Sequence, residues 1–247
     1  MTYIEGFVVP VPEANRVAFR EHAEQMAGST EGFGIARQVE AWASDVPHGN
    51  VTDFYRAVGA KDDETIVFAW FEYPSKAARD SANEKFRTDP GMAGLPPPPF
   101  DGKRMILGGF EAIVEQGAGR GSYVDGFVVP VRQGKREAYR ELAESMARVF
   151  REKGAVRVVE AFGDDISRGE VTDYYRAVNA EDGEGVVFSF IEWPDKATRD
   201  QAWKAIMEDE GHRPQGEMPF DGRRMFWGGF DVIIDTASAN ARQRTTA

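Results

Sequence analysis

Tyr3-Ile4-Glu5-Gly6-Phe7-Val8-Val9-Pro10-Val11 returns 120 positions later as Tyr123-Val124-Asp125-Gly126-Phe127-Val128-Val129-Pro130-Val131. The correspondence runs without a gap from residues 3–115 onto 123–235, with about half of the aligned positions identical. Val51-Thr52-Asp53-Phe54-Tyr55-Arg56-Ala57-Val58 returns as Val171-Thr172-Asp173-Tyr174-Tyr175-Arg176-Ala177-Val178, and Pro99-Phe100-Asp101-Gly102 as Pro219-Phe220-Asp221-Gly222. A period this long is a domain duplication rather than a solenoid, whose repeats run at about 20–50 residues. It implies two units, 1–115 and 123–235, joined by a short linker at 116–122 and followed by a small polar tail at 236–247.

Within each unit, strand and helix patterns alternate. Residues 3–11 are β-rich, and 13–31 carry the apolar stripe of a helix, clearest in Ala138, Leu142, Ala143, Met146, Val149 and Phe150. Gly34 and Gly154 follow it, where a helix ends in a left-handed residue. Residues 35–43, 51–60 and 65–73 read as three strands, and Ser75 and Asp195 stand at the N-caps of a second helix. A turn at Asp101-Gly102 leads into a last strand over 103–114. Without the extra strand at 51–60 this is the split β-α-β order of a ferredoxin-like domain, an antiparallel sheet with both helices on one face. The other face needs a cover, and a second copy of itself supplies one. The expected class is therefore α+β, with two tandem ferredoxin-like repeats forming one barrel within the chain.

Composition narrows the function. A formal charge of −11 with no local basic patch argues against nucleic acid as a partner. No stretch is long and apolar enough for a bilayer span, and no leader pattern opens the chain, so the cytoplasm is the default compartment. The absence of cysteine removes disulfides, thiolate nucleophiles and cysteine metal ligands. His22, His48 and His212 align with Leu142, Arg168 and Met92, which disfavours a paired histidine metal or haem site. No cofactor or metal is expected.

The recurring phrases Tyr-x-x-Gly-Phe-Val-Val-Pro-Val, Val-Thr-Asp-x-Tyr-Arg-Ala-Val, Pro-Phe-Asp-Gly-x-Arg-Met and Gly-Gly-Phe closely resemble the YbaA-like family of small bacterial proteins, a domain of unknown function. Each repeat resembles one whole family member. The resemblance implies a dimeric α/β barrel, here closed inside one chain, and carries over no catalytic residue. Pairing of the pseudo-dimer with a second chain stays open.

Strand alternation sorts the side chains. In 65–73 one face carries Ile66, Phe68, Trp70 and Glu72, matched by Val186, Phe188, Phe190 and Glu192, and this aromatic face is assigned to the barrel interior. In 35–43 the face with Glu40 and Trp42, matched by Glu160 and Phe162, is assigned to the same interior. On that reading Glu40, Trp42, Phe68, Trp70, Glu160, Phe162, Phe188 and Phe190 line an apolar pocket, with Glu72 and Glu192 as bases. Asp53 and Tyr55, with Asp173 and Tyr175, form a second polar cluster able to position or deprotonate a substrate. Against each stands a structural reading: glutamates paired with arginine at the sheet rim, and Asp–Tyr–Arg contacts between repeats. The expected partner is a small apolar or aromatic ligand, the protein acting on it without a cofactor or holding it as a non-catalytic module. The further alternative is a barrel whose interior is filled core.

Overall fold

The computed structural model describes residues 2–209 and 217–237, so most of the expected tail, His212 and the loop around Gln215 lie outside the described residues. The first repeat contains β1 (Tyr3–Pro12), α1 (Arg16–Ser29), β2 (Arg37–Asp45), α2 (Phe54–Ala57), β3 (Glu64–Tyr73), α3 (Lys76–Thr88), α4 (Pro90–Ala93) and β4 (Ile106–Gly117). The second contains β5 (Tyr123–Arg132), α5 (Arg136–Glu152), β6 (Arg157–Asp165), α6 (Tyr174–Ala177), β7 (Glu184–Trp193), α7 (Lys196–Glu208) and β8 (Phe226–Asp235).

The strands close into one barrel in the order β1-β3-β2-β8-β5-β7-β6-β4. Each repeat supplies a four-stranded antiparallel sheet, and the two sheets join along both edges, β2 to β8 and β4 to β6. No strand edge is left for a neighbour to extend, which removes the usual hazard of an open sheet. Edge pairing carries β4 through Gly117, opposite Arg157, into the segment read as a linker. The amide of Gly121 donates to Glu192, so this connection is held at the barrel mouth.

The segment read as a strand over 51–60 is a turn and a four-residue helix. Asp53 caps α2 by accepting from the Arg56 amide at 2.8 Å, and Asp173 caps α6 from Arg176 at 2.9 Å. Gly59 (φ +56°) and Asn179 (φ +48°) leave these helices in left-handed backbone. Their β-branched and aromatic residues suit burial rather than pairing: Phe54, Ala57, Val58 and Tyr174 drop into one barrel mouth. Thr52 donates to Ala57's counterpart, the Ala177 carbonyl, at 2.7 Å, and Thr172 donates to Ala57 at 2.6 Å. This reciprocal pair joins the repeats about their pseudo-twofold axis.

The face assignment of β3 and β7 holds. Phe68 stacks on Phe188 with centroids 4.5 Å apart, and Trp70 stacks on Phe190 at 4.2 Å. All four rings are fully buried. Gly6 and Gly126 make the space: a Cβ on either would stand 2.8 Å from the ring of Phe188 or Phe68. Gly109 is likewise covered by the ring of Tyr3, so a close neighbour explains that strand glycine.

Candidate functional site

The expected interior pocket is filled by the residues meant to line it. Phe68, Trp70, Phe188 and Phe190 occupy the barrel axis themselves, with Phe110 and Phe230 beside them. Glu40, Trp42, Glu160 and Phe162 are not in the interior at all. Antiparallel register sets Val39 opposite Trp70 and Ala41 opposite Phe68, so those residues share the inner face. Glu40 pairs with Ala69 on the outer face, beneath the helices, and Glu160 pairs with Ser189. Strand β2 is buried on both faces and mixes polar and apolar residues on each, so alternation within it does not say which face is inner.

Glu72 and Glu192 do point inward, at the mouth opposite α2 and α6, but their carboxylates are tied to arginine. Arg37 donates to both oxygens of Glu192 at 2.8 and 2.7 Å, and Arg157 to both oxygens of Glu72 at 2.6 and 3.0 Å. Each guanidinium thus reaches across to the other repeat. Arg37 also holds Asp235, Arg157 holds Glu115, and the Trp70 indole donates to Glu72 at 2.9 Å. Both carboxylates are thus committed to cross-repeat ion pairs, each accepting four hydrogen bonds, and do not stand free as bases. Asp53 and Asp173 are spent on helix caps and do not pair with Tyr55 or Tyr175. Tyr55 instead lies 4.7 Å from the His48 ring, and Tyr175 lies under Arg168 at 4.4 Å.

An apolar cleft lies outside the barrel, between the outer face of the first sheet and helices α1 and α3. It encloses about 430 Å³ and is walled by Phe7, Phe19, Phe71, Phe86 and Phe100, with Glu5, Gln38, Glu40 and Asn83 among its polar groups and His22 and Arg87 beside them. Glu40 accepts from Gln38 Nε2 at 3.0 Å and has no second hydrogen bond among the described residues. Burial pushes its carboxyl up to about 7, opposed only by Gln38. Burial also raises Glu5 above the usual carboxylate range, against hydrogen bonds from Asn83 at 2.9 Å and Tyr73 at 3.3 Å. His22, which lines the cleft, has its pKa lowered by burial.

The second repeat has the same strands and long helices, and larger side chains occupy the corresponding space. Tyr139 replaces Phe19, and its hydroxyl donates to Glu160 at 2.7 Å. Trp203 replaces Asn83, fills the space with its indole, and donates to Asp125 at 2.7 Å. Trp193 and Arg199 complete the Asp125 shell at 2.9 and 2.8 Å. The helices differ to match: α5 buries Tyr139, Ala143, Ala147, Val149 and Phe150, whereas α1 buries only Phe19 and Ala23. The substitutions Phe19/Tyr139 and Asn83/Trp203 were legible as repeat differences. Their meaning required knowing that both positions face one cleft.

A raised carboxyl pKa costs folding free energy once the group ionises. Unfolded glutamate loses its proton near 4.5 and Glu40 near 7, so stability falls as pH rises through that window. Glu40→Gln removes the ionisation. With water entering the cleft reducing the full shift, the variant is expected to gain about 2 kcal/mol over the parent at pH 8 and nearly nothing at pH 4. Urea unfolding at both values checks it, and equal stabilisation at both would contradict the assignment.

Two ferredoxin-like halves closed edge to edge around a packed interior define a dimeric α/β barrel folded from one chain. The same fold occurs in a candidate monooxygenase of Fusobacterium nucleatum (TM-score 0.56, 11% identity, 95% of this chain and 93% of that one). It also occurs in one of Lactobacillus acidophilus (TM-score 0.51, 10% identity, 95% of each chain). At such identities the likeness concerns fold alone. The chain belongs to the family described as a protein of unknown function, DUF1428, which matches residues 2–102 and again 122–222. The uncharacterized protein YbaA of Escherichia coli K12 is 53% identical over 117 residues, spanning 47% of this chain and all of YbaA. Among the described residues no helix is long and apolar enough to cross a membrane.

Proposed function

We propose that the protein binds a small, largely apolar molecule in the cleft of the first repeat, with Glu40 as the polar contact and proton acceptor. The observation that carries this is the difference between the repeats: the same cleft is plugged by Trp203 in one and left open over Asn83 in the other. An apolar pocket with few convergent polar groups and a carboxyl titrating near neutrality is the usual composition of a ligand site. The net charge of −11 favours neutral or cationic ligands over anions. Binding is assigned to the first repeat alone, and the second serves as the other half of the barrel.

Asn83→Trp copies the plug into the first repeat. Titration with the neutral dye N-phenyl-1-naphthylamine, whose fluorescence rises in apolar surroundings, is expected to show saturable binding to the parent. The variant should bind at least about tenfold more weakly, since the indole takes the space. No saturable binding in the parent, or equal binding in both proteins, would sink the reading.

A further inference from the structure

The second repeat carries in its own side chains a description of what the first repeat lacks. Its two outer-face carboxylates are each satisfied by an aromatic donor: Glu160 by the Tyr139 hydroxyl and Asp125 by the Trp203 and Trp193 indoles. In the first repeat Glu5, the counterpart of Asp125, keeps its donors through Asn83 and Tyr73. Glu40, the counterpart of Glu160, takes its one donor from Gln38, where the second repeat has Val158, and its other oxygen has no hydrogen bond among the described residues. Phe19 stands where Tyr139 stands and supplies a ring without a hydroxyl. Two things are therefore absent together: the volume of an indole above the sheet, and an O–H aimed at the Glu40 oxygen that Gln38 leaves free.

We infer that the ligand of this cleft is a neutral aromatic alcohol, its fused or substituted ring in the space that Trp203 fills and its hydroxyl donating to Glu40 as Tyr139 donates to Glu160. The inference rests on the ligand-binding reading above and adds the chemistry of the ligand. Five phenylalanine rings on the walls suit an aromatic body, through edge and face contacts beyond simple area burial. An acceptor with a single internal partner selects a donor, because a group that cannot donate leaves its second oxygen desolvated and without a hydrogen bond. A carboxylate ligand is rejected by Glu5 and Glu40 together. A cation has to share the cleft with Arg87, which a neutral hydroxyl does not oppose.

The test displaces N-phenyl-1-naphthylamine at pH 8 with 2-naphthol, 2-methoxynaphthalene and 2-naphthoate, on the parent and on Glu40→Leu. In the parent 2-naphthol is expected to bind about tenfold or more tightly than 2-methoxynaphthalene, which lacks only the donor, and more tightly still than 2-naphthoate. Glu40→Leu should bring 2-naphthol down to the level of the methyl ether while leaving the ether unchanged or improved. A merely structural role for Glu40 would weaken both alike. Equal binding of naphthol and ether in the parent, or a preference for naphthoate, overturns the inference. So does retention of the naphthol preference in Glu40→Leu. In each of those cases dye binding that is lost in Asn83→Trp leaves the cleft itself standing as a ligand site, whereas dye binding indifferent to Asn83→Trp removes both.

Discussion

Arg37→Met is expected to cost the folded chain about 3–5 kcal/mol, seen as a lower urea midpoint with an unchanged slope. The size follows from the charge balance at the barrel mouth. Two arginines, Arg37 and Arg157, serve four carboxylates, those of Glu72, Glu115, Glu192 and Asp235. Arginine is the scarcer partner. Without Arg37, the fully buried Glu192 keeps only a 3.3 Å contact from Arg157 and the Gly121 amide at 3.2 Å. A buried charge stripped of its bidentate partner carries its desolvation cost uncompensated. Adding Glu192→Gln removes that charge while keeping an acceptor for Gly121, so the double variant should recover much of the loss. A cycle in which the two changes simply add would show that the pair is not coupled. Because each guanidinium reaches the opposite repeat, the same measurement reads the strength of the joint between the two halves.

Phe188→Ala is the second large effect, at about 3–5 kcal/mol. Its ring stacks on Phe68 at 4.5 Å and meets Phe110 at 5.3 Å and Tyr174 at 6.1 Å, edge on. Truncation leaves a hole at the barrel axis, where neighbours belong to a closed sheet and cannot collapse inward. Gly6 offers a control. Gly6→Ala alone drives a methyl to 2.8 Å from the Phe188 ring and should cost about 1–3 kcal/mol by overpacking. In the Phe188→Ala background that methyl enters vacated space and should cost far less. Equal costs of Gly6→Ala in the two backgrounds would mean that the glycine answers a backbone need and not the ring.

Both predictions turn on residues whose identities repeat 120 positions apart; the duplication made Phe68, Phe188, Glu72 and Glu192 conspicuous before any coordinates, but not Arg37 and Arg157. The inner face of β3 and β7 was legible because Phe68, Trp70, Phe188 and Phe190 are large while the opposite face carries Ala69 and Ser189. The helix caps at Ser75 and Asp195 were legible for a local reason, a side chain accepting from an amide three residues on. Asp53 sends the same signal, followed by Gly59 and Asn179 as terminators. The strand-like composition of 51–60 outweighed it, because β-branched and aromatic residues mark burial as much as extension.

The two-fold repeat, the ferredoxin-like order of each half and the inner faces of β3 and β7 are written in the sequence. These follow from local periodicity and capping, which act over a few residues, whereas alternation alone puts the face of β2 and β6 that carries Trp42 and Phe162 on the wrong side. Only the tertiary structure decided that the interior is full, that Glu72 and Glu192 are claimed by arginines of the opposite repeat, and that Glu40 lies outside the barrel. Each of those depends on strand register and on which helix covers which sheet, contacts between residues far apart in sequence. The asymmetry of the two clefts is of the same kind: Phe19 and Asn83 are ordinary residues 64 positions apart (83 minus 19) until α1 and α3 bring them over one cleft.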